Sequence, residues 1–498
     1  MIWNGFFLLF FRYIGIINLK GGVFMEEQKN NPNGQANPRR KPRSKMQNFK
    51  EAYLPVIIIA VAVILIIVFI IGSIVRAVEK SKLEEQADLE AAASQQAQMD
   101  ELNNKVNNLI LQAEELAAGY DYDGAMDLLG SFEGDMNQFP QLADKIDEYA
   151  QAKSALVEWA DPSKIPNLSV QLLIADPQRA FNHETYSYSF KENFITLTEF
   201  SSILQQLYDN GYILVGPEDI MTAETDSSGK TVYQSTPLYL PSGKKPLMLT
   251  QTNVNYNLYL VDSDGDMIAD KNGGGFASKL ILDQNGKITC EMVDSNGQTV
   301  YGAYDMIPIL DEFVARHPDF SYRGAKAILA VTGYNGLFGY RTNAEAKEHF
   351  GQDAYTADVA TIKAIAQTLR DSGYTLACYT YENIPYGTST LEEIQTDLTR
   401  WNAEVLPILG STNTLVYAQK SDITTEETYS GDVFNLLQEN GFRYYIGFCQ
   451  DANPWMTFAD NYVRQGRLMV TGANLRDQAD LFTGLFDASA ALDTIRNQ

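Results

Sequence analysis

The sequence predicts an α/β domain built on a largely parallel sheet or barrel and carrying one inserted β-meander. Three observations predict it. Strand-like and helix-like runs alternate from Leu168 onward. The helices end at glycines followed at once by apolar strands. One polar stretch, 256–302, interrupts the alternation.

SVQLLIA at 169–175 reads as a strand, and 194–215 as a helix stopped by Gly211 and then a second strand. Val359, Ile362, Ile365 and Leu369 share a helix face before Gly373 and the strand YTLAC. Val433, Leu436 and Leu437 do the same before Gly441 and RYYIGF. The interruption holds four hairpin signals, DSDGD, KNGGG, DQNGK and DSNGQ.

Ahead of this domain lie three regions. Leu54–Val75 is 22 residues without a charge, long enough to cross the ~30 Å hydrocarbon core of a bilayer as one helix. Arg39, Arg40, Lys41, Arg43, Lys45 and Lys50 precede it, so the N-terminus is expected in the cytoplasm and residues 76–498 outside, on a single-pass anchor in the cell membrane. No small-residue cleavage site follows the span, which reads as an anchor, not a removed signal. Residues 1–53 read as a disordered basic tail. Met25 reads as a natural start within it, with 1–24 an upstream extension; a hydrophobic hairpin there is the alternative. Residues 76–160 read as a helical stalk, with Leu102, Val106, Leu109, Ala113 and Leu116 on one face. Its segment 117–132 is similar to part of a tetratricopeptide-type hairpin, which leaves a recognition role open.

Charge narrows the partners. The chain carries −25 overall, yet residues 1–53 hold nine Lys/Arg against three Glu, a net +6, leaving −31 on the rest. An acidic body lacks the clustered cations that nucleic acid requires. Cys290, Cys378 and Cys449 lie far apart without CxxC spacing and are expected as small buried residues. His183, His317 and His349 are the only histidines, and their spacing excludes a helical HxxxH or HExxH metal site.

The order of the elements resembles the polysaccharide deacetylase (NodB-homology) family over residues 168–475. The resemblance is carried by LTEFSSILQQLYDNGYILV followed by PEDIM, then KPLMLT, RGAKAILAVTGY and LRDSGYTLACYTYEN. It implies a deacetylase-like (β/α) barrel over residues 165–490. It also implies a mechanism in which an Asp general base, a metal-binding Asp and two His activate a metal-bound water. This chain departs from that pattern. The base position falls on Thr252, the Asp ligand on Asn253, and the two His on Tyr379 and Asn383. Neutral oxygen and amide groups bind a divalent ion weakly beside carboxylate and imidazole.

A cleft rim of aromatic and polar residues is expected instead, with Tyr256, Tyr379, Tyr381, Tyr417, Asp451 and Trp455 as ligand-binding candidates for sugar rings. Asp262, Asp264, Asp266 and Asp270 in VDSDGDMIAD resemble a calcium loop of DxDxD type, with the first three as the expected ligands, although Met267 replaces the expected glycine and no Glu stands at the twelfth position. The leading reading is a cell-envelope, deacetylase-like protein without catalysis or cofactor, binding a cell-wall or surface glycan or a partner. An active zinc-dependent carbohydrate deacetylase with an altered site and a stalked structural scaffold are the alternatives.

Overall fold

The computed structural model describes residues 45–225, 227 and 231–497. The expected tail and alternative start lie outside the described residues up to residue 44. From Lys45 the chain is helical, so the last part of the predicted tail belongs to helix α1 (Lys45–Ala118). Two units are distinguished, Met1–Gln98 and Met99–Gln498. The first contains the predicted span: an 18-residue window of α1 reaches mean hydropathy 3.6 with none of it buried, enough by length and composition to cross a membrane.

In the second unit seven parallel strands close a barrel in simple chain order. They are β1 (Asn167–Val170), β2 (Lys245–Thr252), β3 (Ile328–Val331), β4 (Thr375–Cys378), β5 (Thr414–Val416), β6 (Tyr444–Phe448) and β7 (Tyr462–Met469). β7 pairs back onto β1 through Leu468–Leu168 and Met469–Ser169, which completes the ring. Right-handed strand–helix–strand crossovers suit this order. The outer helices include α4 (Leu197–Asp209), α5 (Met306–Arg316), α6 (Gln352–Asp371), α7 (Leu391–Arg400) and α8 (Asp432–Glu439). The predicted (β/α) barrel is therefore present.

The meander is present as well, in a narrower span than expected. Lys279–Leu282, Ile288–Val293 and Thr299–Gly302 form a three-stranded antiparallel sheet. Its turns are DQNGK and DSNGQ: Asp283 Oδ1 accepts from Asn285 N and Lys287 N, and Asp294 Oδ1 accepts from Asn296 N and Gln298 N. DSDGD and KNGGG lie in irregular chain, not in hairpins.

The stretch expected as a stalk over 76–160 does not behave as one along its length. From Met99 it belongs to the same unit as the barrel. The end of α1, α2 (Tyr122–Gly130) and α3 (Pro140–Ser154) close around Val106, Ala113, Ala125, Leu129 and Leu142, because a single apolar stripe needs partners to bury it. Their junction docks at the barrel's N-terminal end. Tyr120, at φ 67°, joins the core cluster that holds the barrel residues Met248, Ile328 and Tyr444. Its ring stacks on Tyr322 at 6.4 Å and its hydroxyl donates to Asp319 O at 2.8 Å. Arg323 N donates to Gly119 O at 2.7 Å.

The connection from β6 to β7 departs from the repeat. It carries no helix, only the strand Met456–Ala459 lying antiparallel to β7. Gly447 and Gly466 are cross-strand partners here, and the Trp455 indole covers them; a Cβ on Gly466 would meet Trp455 Nε1 at 2.4 Å.

Candidate functional site at the strand C-termini

Backbone strain concentrates at one end of the barrel. Among the described residues ten non-glycine residues have positive φ. Asn253, Tyr256 and Met267 follow β2, Phe338 follows β3, Thr380 and Asn383 follow β4, and Gln419 and Lys420 follow β5. Such conformations persist where surrounding contacts over-determine them, and they gather at functional sites.

Two arginines hold these loops. Arg467, on β7, is fully buried and donates to Ile446 O and Gly447 O (both 3.0 Å) and to Tyr417 O (2.8 Å). Its guanidinium lies 5.9 Å from the centre of the Tyr379 ring. Burial pushes its pKa down, against the Tyr379 phenol that raises it. Arg341 donates to Tyr256 O at 2.7 Å and Asn335 O at 3.1 Å, clamping the β2 loop to the β3 loop. Burial pushes it down to about 10.

The implied zinc does not fit the residues at this mouth. Thr252, Asn253, Tyr379 and Asn383 all follow or end β2 and β4 on the same side of the barrel, but they offer an alcohol, two carboxamides and a phenol. Asn253 Oδ1 already accepts from Asn257 Nδ2 at 2.9 Å. A buried guanidinium beside Tyr379 adds positive charge where a divalent cation would need negative ligands.

The rim residues separate into two groups. Tyr256, Tyr381 and Tyr417 are fully buried, which corrects their expected exposure to ligand. The Tyr256 hydroxyl donates to Asp305 at 2.7 Å, and Tyr381 donates to Glu404 at 2.5 Å. Tyr417 lies in a cluster with Tyr429 and Tyr445, at ring centroid distances of 6.3 Å. Asp451 and Trp455, in contrast, line one groove of about 720 Å³ with Lys420, Asp422, Phe448 and Arg464. Arg464 pairs with Asp422 at 2.9 Å and lies 5.1 Å from the Trp455 ring. Burial pushes the Asp422 carboxyl up, against the pull of Arg464.

A second groove, of about 1040 Å³, holds residues that the sequence did not single out for this role. Tyr186 and Tyr259 line it and pack edge to face at 5.8 Å, and both are about one-third exposed. Burial raises the Tyr259 phenol, followed by the neighbouring phenols of Tyr334, Tyr186 and Tyr379. His183 lines the same groove, and its Nδ1 accepts from Thr185 N and Tyr186 N, a structural role. His317 packs between Tyr208 and Phe313, and the three cysteines are free and buried.

Beside the second groove, carboxylate oxygens of Asp262, Asp264 and Asp270 lie within 4.8 Å of one another. Of the four aspartates of this loop, Asp270 joins the group in place of Asp266. Asp266 instead caps its own turn, accepting from Ile268 N at 2.8 Å.

No family model matches the sequence, and a search of curated proteins returns no match. Among solved structures, the Streptococcus pyogenes deacetylase PplD in complex with acetate is similar at TM-score 0.33 and 14% identity, over 65% of this chain and 99% of that one. A Bacillus anthracis protein assigned as a polysaccharide deacetylase is similar at TM-score 0.33 and 12% identity, over 64% and 66% of the two chains. At these values the likeness assigns neither activity nor site.

Proposed function

We propose that this protein is a membrane-anchored, deacetylase-like barrel that binds a cell-envelope glycan outside the cell without hydrolysing it. The observation that carries the reading is the joint placement of Trp455 and Asp451 in one groove, an aromatic ring for stacking on a sugar beside a carboxylate for its hydroxyls. The neutral donor set at Thr252, Asn253, Tyr379 and Asn383 supports the absence of metal-dependent turnover. The acidic loop at Asp262, Asp264 and Asp270 supports at most weak calcium binding.

The test uses the full chain in detergent micelles and a soluble N-acetylglucosamine oligomer. Trp455→Ala is expected to weaken binding about fivefold, the loss of roughly 1 kcal/mol of stacking. The oligomer's mass should be unchanged after prolonged incubation. Equal affinity in the variant removes the groove from the reading, and loss of acetyl groups overturns the absence of hydrolysis. Zinc titration against a competing chelator checks the mouth: stoichiometric tight zinc on the wild type would restore the active reading.

A further inference from the structure

The barrel interior has two polar layers that differ in how well they are satisfied. In the first, Asn167 Nδ2 donates to Gln465 Oε1 (3.0 Å), Thr250 Oγ1 donates to Asn167 Oδ1 (2.8 Å), and the Tyr444 hydroxyl donates to Gln465 Oε1 (2.9 Å). Gln465 Nε2 completes the set by donating to Ile165 O at 3.1 Å. Every one of these four side chains has a partner.

The second layer lies toward the strand C-termini. Ser169, near the end of β1, and Thr332, one residue beyond β3, have hydroxyls without a hydrogen-bond partner. Arg467 Nε, near the end of β7, also has none. Ser169 is 1% exposed, and Thr332 and Arg467 are fully buried. Thr252 makes only a 3.4 Å contact to Val170 O. Among the described residues no carboxylate lies within ion-pair distance of Arg467; Asp422, which bears on it electrostatically, is paired with Arg464. Unsatisfied polar atoms carry a free-energy cost, and Arg467, although it donates to three carbonyls and bears on the Tyr379 phenol, is a buried charge without a counter-charge. An oxyanion among them would offset both, since a guanidinium N–H and hydroxyls are the donors a carboxylate requires.

We propose that this second layer, Arg467 with Ser169 and Thr332, is a receptor for a carboxylate group. Tyr379 and Asn253, each 8% exposed, lie on the mouth side of this layer. The site is separate from the Trp455 groove and does not rest on glycan binding there. A carboxyl group borne by a sugar and a free small carboxylate share the same recognition chemistry, and the two are separated by probe size.

The experiment follows the thermal midpoint of the full-length protein in micelles with sodium formate, sodium glucuronate, sodium chloride and glucose. Formate should raise the midpoint by several degrees at concentrations where chloride and glucose do not. A matching response to glucuronate identifies a sugar acid as the source, and a response to formate alone identifies a free carboxylate; both support the site. Arg467→Gln should abolish the response. Ser169→Ala and Thr332→Val, which conserve volume more closely, should each weaken apparent affinity about fivefold and decide the matter if Arg467→Gln does not fold. Trp455→Ala should leave the formate response intact. A response no larger than that to chloride, or one unchanged in both Ser169→Ala and Thr332→Val, overturns the proposal and assigns the unpaired atoms to buried water.

Discussion

The two ends of the barrel are built to different rules. At the N-terminal end Tyr120, Tyr322 and Arg323 join the helical module to the strands through stacking and backbone hydrogen bonds, and the polar layer above them is fully paired. At the C-terminal end the loops hold eight of the ten left-handed non-glycine residues among those described, against Tyr120 and Arg323 at the other end, and buried polar atoms lack partners. The docked end carries stability, and the open end tolerates strain. Paired polar groups rigidify a core, whereas unpaired ones are retained only where something compensates them.

Asn167→Ala strands the buried Thr250 hydroxyl and removes one of the two donors to Gln465 Oε1, and chemical denaturation should report a loss of about 2 to 3 kcal/mol. A loss below 1 kcal/mol would show that the two layers are energetically alike. Tyr120→Phe removes one partly buried hydroxyl from Asp319 O and should cost about 1 kcal/mol while leaving oligomer binding untouched. Altered binding in that variant would mean that the ends are coupled.

The smallest effect sharpens the contrast through pH. Asp219, near the docked end, accepts from Gly216 N at 2.7 Å. Burial pushes its carboxyl up to about 7, with Glu218 adding to the rise and Gly216 N–H and Arg323 opposing it. A folded pKa above the unfolded value means that the native state holds the proton more tightly. This group's contribution to stability therefore falls as pH rises from about 4 to about 7. Asp219→Asn should raise the thermal midpoint by a degree or more at pH 8 and lose that advantage near pH 4. An equal effect at both pH values would remove the titration from the account.

Much of the fold was legible because its signals are local. Gly211, Gly373 and Gly441 each end a helix at positive φ, and the NG turns of the meander satisfy their own backbone through Asp283 and Asp294. The helical segment reads as a stalk in the sequence because nothing in residues 99–160 announces Tyr322 and Asp319, some 200 positions away. The site was legible in part. Trp455 and Asp451 reached a groove, but Tyr256, Tyr381 and Tyr417 found buried partners supplied by distant elements. Tyr259, only three residues from Tyr256, is open instead, and a tyrosine's identity does not reveal which way a loop turns it. Arg467 did leave a trace: in YVRQGRLM it shares the inward parity of Val463 and Gln465, a cation on the apolar side of a strand.

Tyr120 gives this protein an unexpected lower limit of portability. The ring that stoppers the base of the vessel comes from the helical segment, not from the strand–helix repeat. Cutting the chain at residue 165 would therefore uncork it, baring the Tyr322 ring on which Tyr120 stacks. The smallest piece that can be carried elsewhere intact begins with the handle, because the handle is also the lid of the base.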